Sequence, residues 1–197
     1  MAFMQVEFFS EVLGLSSSID VIVPQRAQGQ VGITNGAFEP PYPVLYLLHG
    51  GSDNHTNWRR NTSIERYVSS LGLVVVMPAV QYSFYSNQKY GFNYFTYLSE
   101  ELPRIVQDFF HVSGKREDTF AAGLSMGGTG RLSWVSLARR NLQLLLVYRA
   151  ALIRGADSQT ILTSGIQSCC RWRDILSVPT KSMTKVTTIW NGYWKNA

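Results

Sequence analysis

Gly123-Leu124-Ser125-Met126-Gly127 decides how this chain is read, because it fits the Gly-x-Ser-x-Gly pattern of a nucleophile elbow. An elbow needs a buried strand before it and a helix after it. Thr119-Phe120-Ala121-Ala122 reads as the strand, and the small residues that follow permit a sharp turn into a helix. The serine is then expected in a strained backbone conformation that lifts its hydroxyl clear of the sheet, with glycines on either side removing side chains that would clash. The same pattern also arises by chance in loops, so its surroundings have to decide.

Working outward, the next signal is Val44-Leu45-Tyr46-Leu47-Leu48, a continuous apolar run between Pro43 and His49-Gly50-Gly51. Such a run suits a strand buried on both faces of a parallel sheet. Leu73-Val74-Val75-Val76-Met77, ended by Pro78, is a second. Phe3 to Ser10 and Ser18 to Val23 read as two edge strands, and a Gln/Gly/Asn-rich loop follows Pro24. Ser52 to Arg60 reads as a loop, and Ser63 to Leu71 as a short helix with Ser63 at its N-cap. A long aromatic loop from Gln81 to Tyr94 leads into Phe95 to Phe110, where Leu98, Leu102, Ile105, Val106 and Phe109 recur at helical spacing. Strands alternating with helices predict an α/β fold with a mostly parallel sheet, whose ligands bind beyond the carboxyl ends of the strands. His49-Gly50-Gly51 and Ser125 both lie at such ends. The two turns can therefore converge on one crevice, where backbone N–H groups would bind an oxyanion. His49 is expected to shape its turn through local backbone contacts.

The chain has 197 residues, 45% of them hydrophobic and 16% charged, which suits a folded domain. Met1 to Leu15 carries Glu7 and Glu11 and makes a poor signal peptide, and no run is long enough to cross a bilayer, so a cytoplasmic location is expected. Cys169 and Cys170 are adjacent, without zinc-site or redox-motif spacing. Residues 1 to 130 hold 8 Lys/Arg against 11 Asp/Glu, whereas residues 131 to 197 hold 10 against 2. The basic excess in that tail is scattered and carries no nucleic-acid motif.

Six segments in order carry a family resemblance: Leu47 to Gly51, Asn54 to Trp58, Val74 to Pro78, Tyr90 to Tyr94, Glu100 to Pro103 and Gly123 to Gly128. Residues 1 to 130 resemble the tributyrin esterase branch of the esterase D family of α/β-hydrolases. The resemblance implies a cofactor-free serine carboxylesterase acting on short-chain acyl esters, small molecules rather than nucleic acid or membrane. It implies Ser125 as nucleophile and an oxyanion hole from the N–H of Met126 with that of Gly50 or Gly51. Trp58, Tyr82, Tyr85 and Tyr94 are candidates to wall a substrate pocket, Trp58 and Tyr94 foremost.

The family order requires an acid and then a histidine after the serine. Here His49, His55 and His111 all precede Ser125, and only Asp157 and Asp174 follow as acids. Asp157 comes too early for the family's acid, and His55 alone among the histidines has a plausible approach to Ser125. Residues 131 to 197 read as a divergent basic tail, with Asn141 to Ile153 an isolated apolar segment and no convincing strand after Ser158. The sheet is therefore expected to be incomplete at its C-terminal side. A shift of reading frame just after the elbow would join these features, and the alternative to an esterase is then a truncated or frameshifted, catalytically inactive hydrolase fragment.

Overall fold

The computed structural model describes residues 1–26 and 38–128, together with the backbone of residues 144–148. Among the described residues six strands form one mixed sheet: β1 (Ala2–Ser10), β2 (Leu15–Val23), β3 (Val44–Leu48), β4 (Val74–Pro78), β5 (Thr119–Leu124) and β6 (Leu144–Tyr148), in the spatial order β1-β2-β4-β3-β5-β6. β1 and β2 run antiparallel to their neighbours, and the pairs β4–β3, β3–β5 and β5–β6 are parallel. This is the open sheet of an α/β-hydrolase.

The three central apolar runs read from sequence are all strands, and their pleat divides the core in two. Val44, Tyr46 and Leu48 of β3 face one layer with Val74, Val76 and Ala121. Leu45 and Leu47 face the other with Val75, Phe120 and Ala122. The second layer is covered by α1 (Asn57–Asn61) and α2 (Ile64–Val68), through Trp58, Ile64 and Val68. The first is covered by α3 (Tyr94–Thr96), a π turn (Tyr97–Glu101) and α4 (Leu102–Phe109), through Tyr97, Leu98, Leu102 and Val106.

Four expectations change. β2 is not an edge strand: it lies between β1 and β4, with Ile19, Val21 and Ile22 fully buried, so only β1 is exposed along one side. The stretch after His49-Gly50-Gly51 is not all loop, because Asn57 to Asn61 forms a helical turn anchored by buried Trp58. The expected single helix is broken in register. Pro103 has no N–H for the Ser99 carbonyl, and the Leu102 N–H reaches back five residues to Tyr97. Phe109, the last residue of α4, lies beyond the buried Leu102 and Val106 and is exposed against Phe8 rather than in the core. Finally, Leu144 to Tyr148, within the segment that reads as isolated, joins the sheet beside β5. The remaining tail readings, including Asp157, Asp174 and the vicinal cysteines, lie outside the described residues.

The π turn also delivers a buried carboxylate. Glu101 accepts from Ser10 Oγ and from the backbone N–H groups of Glu11 at 2.8 Å and Val12 at 3.3 Å, while Leu13 N–H donates to Ser10 Oγ at 3.1 Å. The β1–β2 turn is thus tied to the helix layer by charge-assisted bonds. Glu101→Ala strands three donors, the Ser10 hydroxyl buried and the other two part-buried, and is expected to cost about 2 kcal/mol, read from the urea unfolding midpoint, whereas Glu100→Ala, on an exposed position, should leave it unchanged.

Candidate active site

Ser125 stands at the junction the motif requires. β5 ends at Leu124, a helical turn begins at Met126, and Ser125 between them has φ of 52°, in the left-handed region that a non-glycine residue adopts only under constraint. The flanking glycines show what the constraint is. A Cβ on Gly123 would run into the backbone of Gly127, and one on Gly127 would lie 2.5 Å from the carbonyl oxygen of Leu48 and 2.8 Å from that of His49. The chain folds back on itself and onto the end of β3 with no room for a methyl group.

That contact sets the neighbouring turn beside the serine. β3 and β5 are adjacent and parallel, so the segments leaving their carboxyl ends emerge together. A Cβ on Gly50 would lie 3.7 Å from Ser125 Cβ. Gly51 borders Tyr82, whose ring would be 2.8 Å from a Cβ at that position.

His49 holds this turn rather than facing the serine. It is fully buried, its Nε2 accepts from the Val80 N–H at 3.3 Å, and its Nδ1 lies 2.7 Å from the Gly50 carbonyl oxygen. With Nε2 accepting, Nδ1 carries the proton and donates. The His49 carbonyl in turn accepts from Tyr85 Oη at 2.9 Å. Gln81, Phe84 and Tyr85 all have positive φ, a costly loop held in part by bonds from Tyr85 N–H and Ser86 Oγ to Ser83.

The aromatic candidates divide by burial. Trp58 and Tyr94 are each 5% exposed and packed in opposite core layers, and Tyr85 is wholly buried on His49. Tyr82, 63% exposed beside Gly51, presents the largest aromatic surface of the four.

No described histidine reaches Ser125. His55 lies 3.2 Å from the Gln5 amide and 3.9 Å from the Asp20 carboxylate, on β1 and β2. β2 is three strands across from β5, about 14 Å at strand spacing. The Asp20 carboxylate is fully buried and is paired with Arg59 at 3.2 Å. His111 is exposed, and its carbonyl accepts from Tyr42 N–H, just before β3 begins. That is the opposite end of the sheet, about 20 Å from the elbow along β5. Among the described residues, no helix is long and apolar enough to cross a membrane.

A strand-turn-helix serine beside a glycine turn on a mostly parallel sheet defines the α/β-hydrolase class, and solved structures agree. The fluorophosphonate-binding serine hydrolase F of Staphylococcus aureus, solved with substrate bound, is 34% identical over 73% of this chain and 55% of its own, with a TM-score of 0.64. The S-formylglutathione hydrolase of the same organism is 34% identical over 72% of this chain and 54% of its own, with a TM-score of 0.60. The model of the Esterase family matches residues 34–139, and an acetyl esterase of Caldicellulosiruptor saccharolyticus is 30% identical over 159 residues, 78% of this chain. This chain belongs to the Esterase family. It spans 58% of the acetyl esterase's length and little more than half of each solved relative.

Burial lowers the pKa of His49 from its ordinary 6.5, against opposing contributions from the Gly50 carbonyl and Asp53, so the folded ring gives up its proton more readily than the unfolded one. An unfolded chain takes up that proton as pH falls through about 6.5, so the stability His49 contributes is complete above this value and declines below it. The urea midpoint is expected to fall between pH 6.5 and 5, with a shallower fall in His49→Gln. Parallel pH profiles for the two proteins would contradict this reading of His49.

Proposed function

We propose that this chain carries the nucleophile half of a serine carboxylesterase for short-chain acyl esters, of the tributyrin esterase type. Ser125 attacks the ester carbonyl carbon. The negative oxygen that develops is received by the N–H of Met126 and one from Gly50 or Gly51, each donor contributing about 3 kcal/mol to the transition state. The observation that carries this is the strained φ of Ser125 with Gly50 alongside it. The acetyl esterase relative supports a small acyl group. Of the four candidate aromatic residues Tyr82 is the best exposed to meet the ester, with Trp58 and Tyr94 supporting the site from the core. No organic cofactor or metal enters this chemistry, and the substrate is a small molecule in aqueous solution, consistent with a cytoplasmic setting.

A second reading, a catalytically inactive hydrolase fragment, is favoured by the histidines. All three are held away from Ser125, and the sequence has none beyond it. A serine hydroxyl without a base is a poor nucleophile, and loss of one triad member costs several orders of magnitude in rate.

Hydrolysis of p-nitrophenyl acetate by the chain and by Ser125→Ala, with and without added imidazole, separates these readings. The expected result is equal rates without imidazole and a Ser125-dependent, several-fold excess when imidazole supplies the missing base. Ser125-dependent turnover without imidazole would show a base within the chain and remove the inactive reading. No Ser125-dependent rate under either condition would overturn Ser125 as the nucleophile.

A further inference from the structure

We infer that β1 is a self-association edge, through which two copies of this chain pair antiparallel about Val6 and join their sheets into one. β1 is nine residues long, lies at the end of the sheet, and among the described residues has no strand on its outer side. Native edges of this length carry lysines, prolines or bulges that block further pairing. Ala2 to Ser10 has neither Lys, Arg nor Pro, pairs with β2 without a bulge, and holds a single charge at Glu7. It also presents apolar surface where a free edge should be polar. Phe9 is 58% exposed, Phe3 38% and Met4 37%, and exposed Phe109 stacks edge-on against Phe8 at 6.5 Å to extend the patch.

The occupant follows from the strand's own pattern. Directly opposed residues of an antiparallel pair share a face, so a two-fold axis through Val6 sets each residue against one of matching parity. Phe3 then faces Phe9 of the second copy, Gln5 faces Glu7, Met4 faces Phe8, and Val6 faces Val6. Each exposed ring gains an apolar partner, and the one carboxylate meets an amide donor. The neighbouring registers fail this test. An axis through Gln5 sets Phe3 against Glu7 and leaves Phe9 beyond the paired stretch, while an axis through Glu7 opposes the two carboxylates. The strand is complementary to itself in one register, and a second copy is the partner that fits it.

Sedimentation equilibrium of the full chain and two double variants tests both the surface and the register, with circular dichroism reporting the fold of each. The unaltered chain is expected at twice its 22.2 kDa mass at micromolar concentration. Phe3→Lys with Phe9→Lys opposes like charges at both ends of the pairing and should give a monomer. Phe3→Lys with Phe9→Glu opposes unlike charges and should restore the dimer. Both variants lose the contact of Phe3 with Arg59, so that loss cancels between them. A monomeric unaltered chain, or two folded double variants in the same state of association, would overturn the proposal.

Discussion

Gly127 lies against the end of β3 so closely that a methyl group would meet the carbonyl oxygens of Leu48 and His49, and the rest of the site depends on that approach. Backbone against backbone leaves no rotamer to adjust. With Gly127 in place, Gly123 must also lack a side chain, and the turn between them forces Ser125 into the left-handed region. The strain at one serine is therefore held by packing, the usual condition for such conformations to persist. Because β3 is the strand being touched, its His49-Gly50-Gly51 turn is brought beside the serine by the same contact.

His49 fixes that turn from the opposite side. Its two nitrogens bridge the Gly50 carbonyl and the Val80 N–H, and its own carbonyl holds Tyr85. A buried ring with both nitrogens committed has no capacity to take a proton from Ser125. His55 is drawn away from the serine through Nε2, which faces Gln5 and Asp20 on β1 and β2, while its buried Nδ1 has no hydrogen-bond partner among the described residues. Ser125 and the Gly50 turn are thus held side by side, the arrangement on which the proposed nucleophile and oxyanion donors rest, while no histidine among the described residues is placed to serve as the base. These halves of the proposed mechanism separate along the chain, since the positioning comes from residues near β3 and β5.

Much of this was legible in the sequence because the central strands are continuous apolar runs bounded by Pro or Gly, and the elbow pattern is itself a steric requirement written in glycines. Helix breaks and ends were harder to read. The helix from Tyr94 to Phe109 has apolar residues at helical spacing, but its ladder is interrupted by a π turn before Pro103, and Phe109, its last residue, ends outside the core. Ser18 to Val23 reads as an edge strand, with polar Ser18 and Asp20 in its run, yet Asp20 is buried and paired with Arg59 from α1. Aromatic residues near a glycine turn give no indication of burial from sequence alone. Trp58 and Tyr94 are nearly enclosed while Tyr82 is open. The Leu144 to Tyr148 strand was visible as an apolar run, but its partner, β5, depends on the three-dimensional order of the sheet.

The unfolding free energy of Gly127→Ala set beside that of Gly50→Ala tests the central constraint. A Cβ on Gly50 would meet its nearest neighbour at an ordinary 3.5 Å, so that variant should unfold close to the unaltered chain. Gly127→Ala should lose about 3 kcal/mol, the upper part of the range for overpacking, because the atoms it meets are backbone. Equal stability for the two variants would show that the elbow does not rest on β3 in this way.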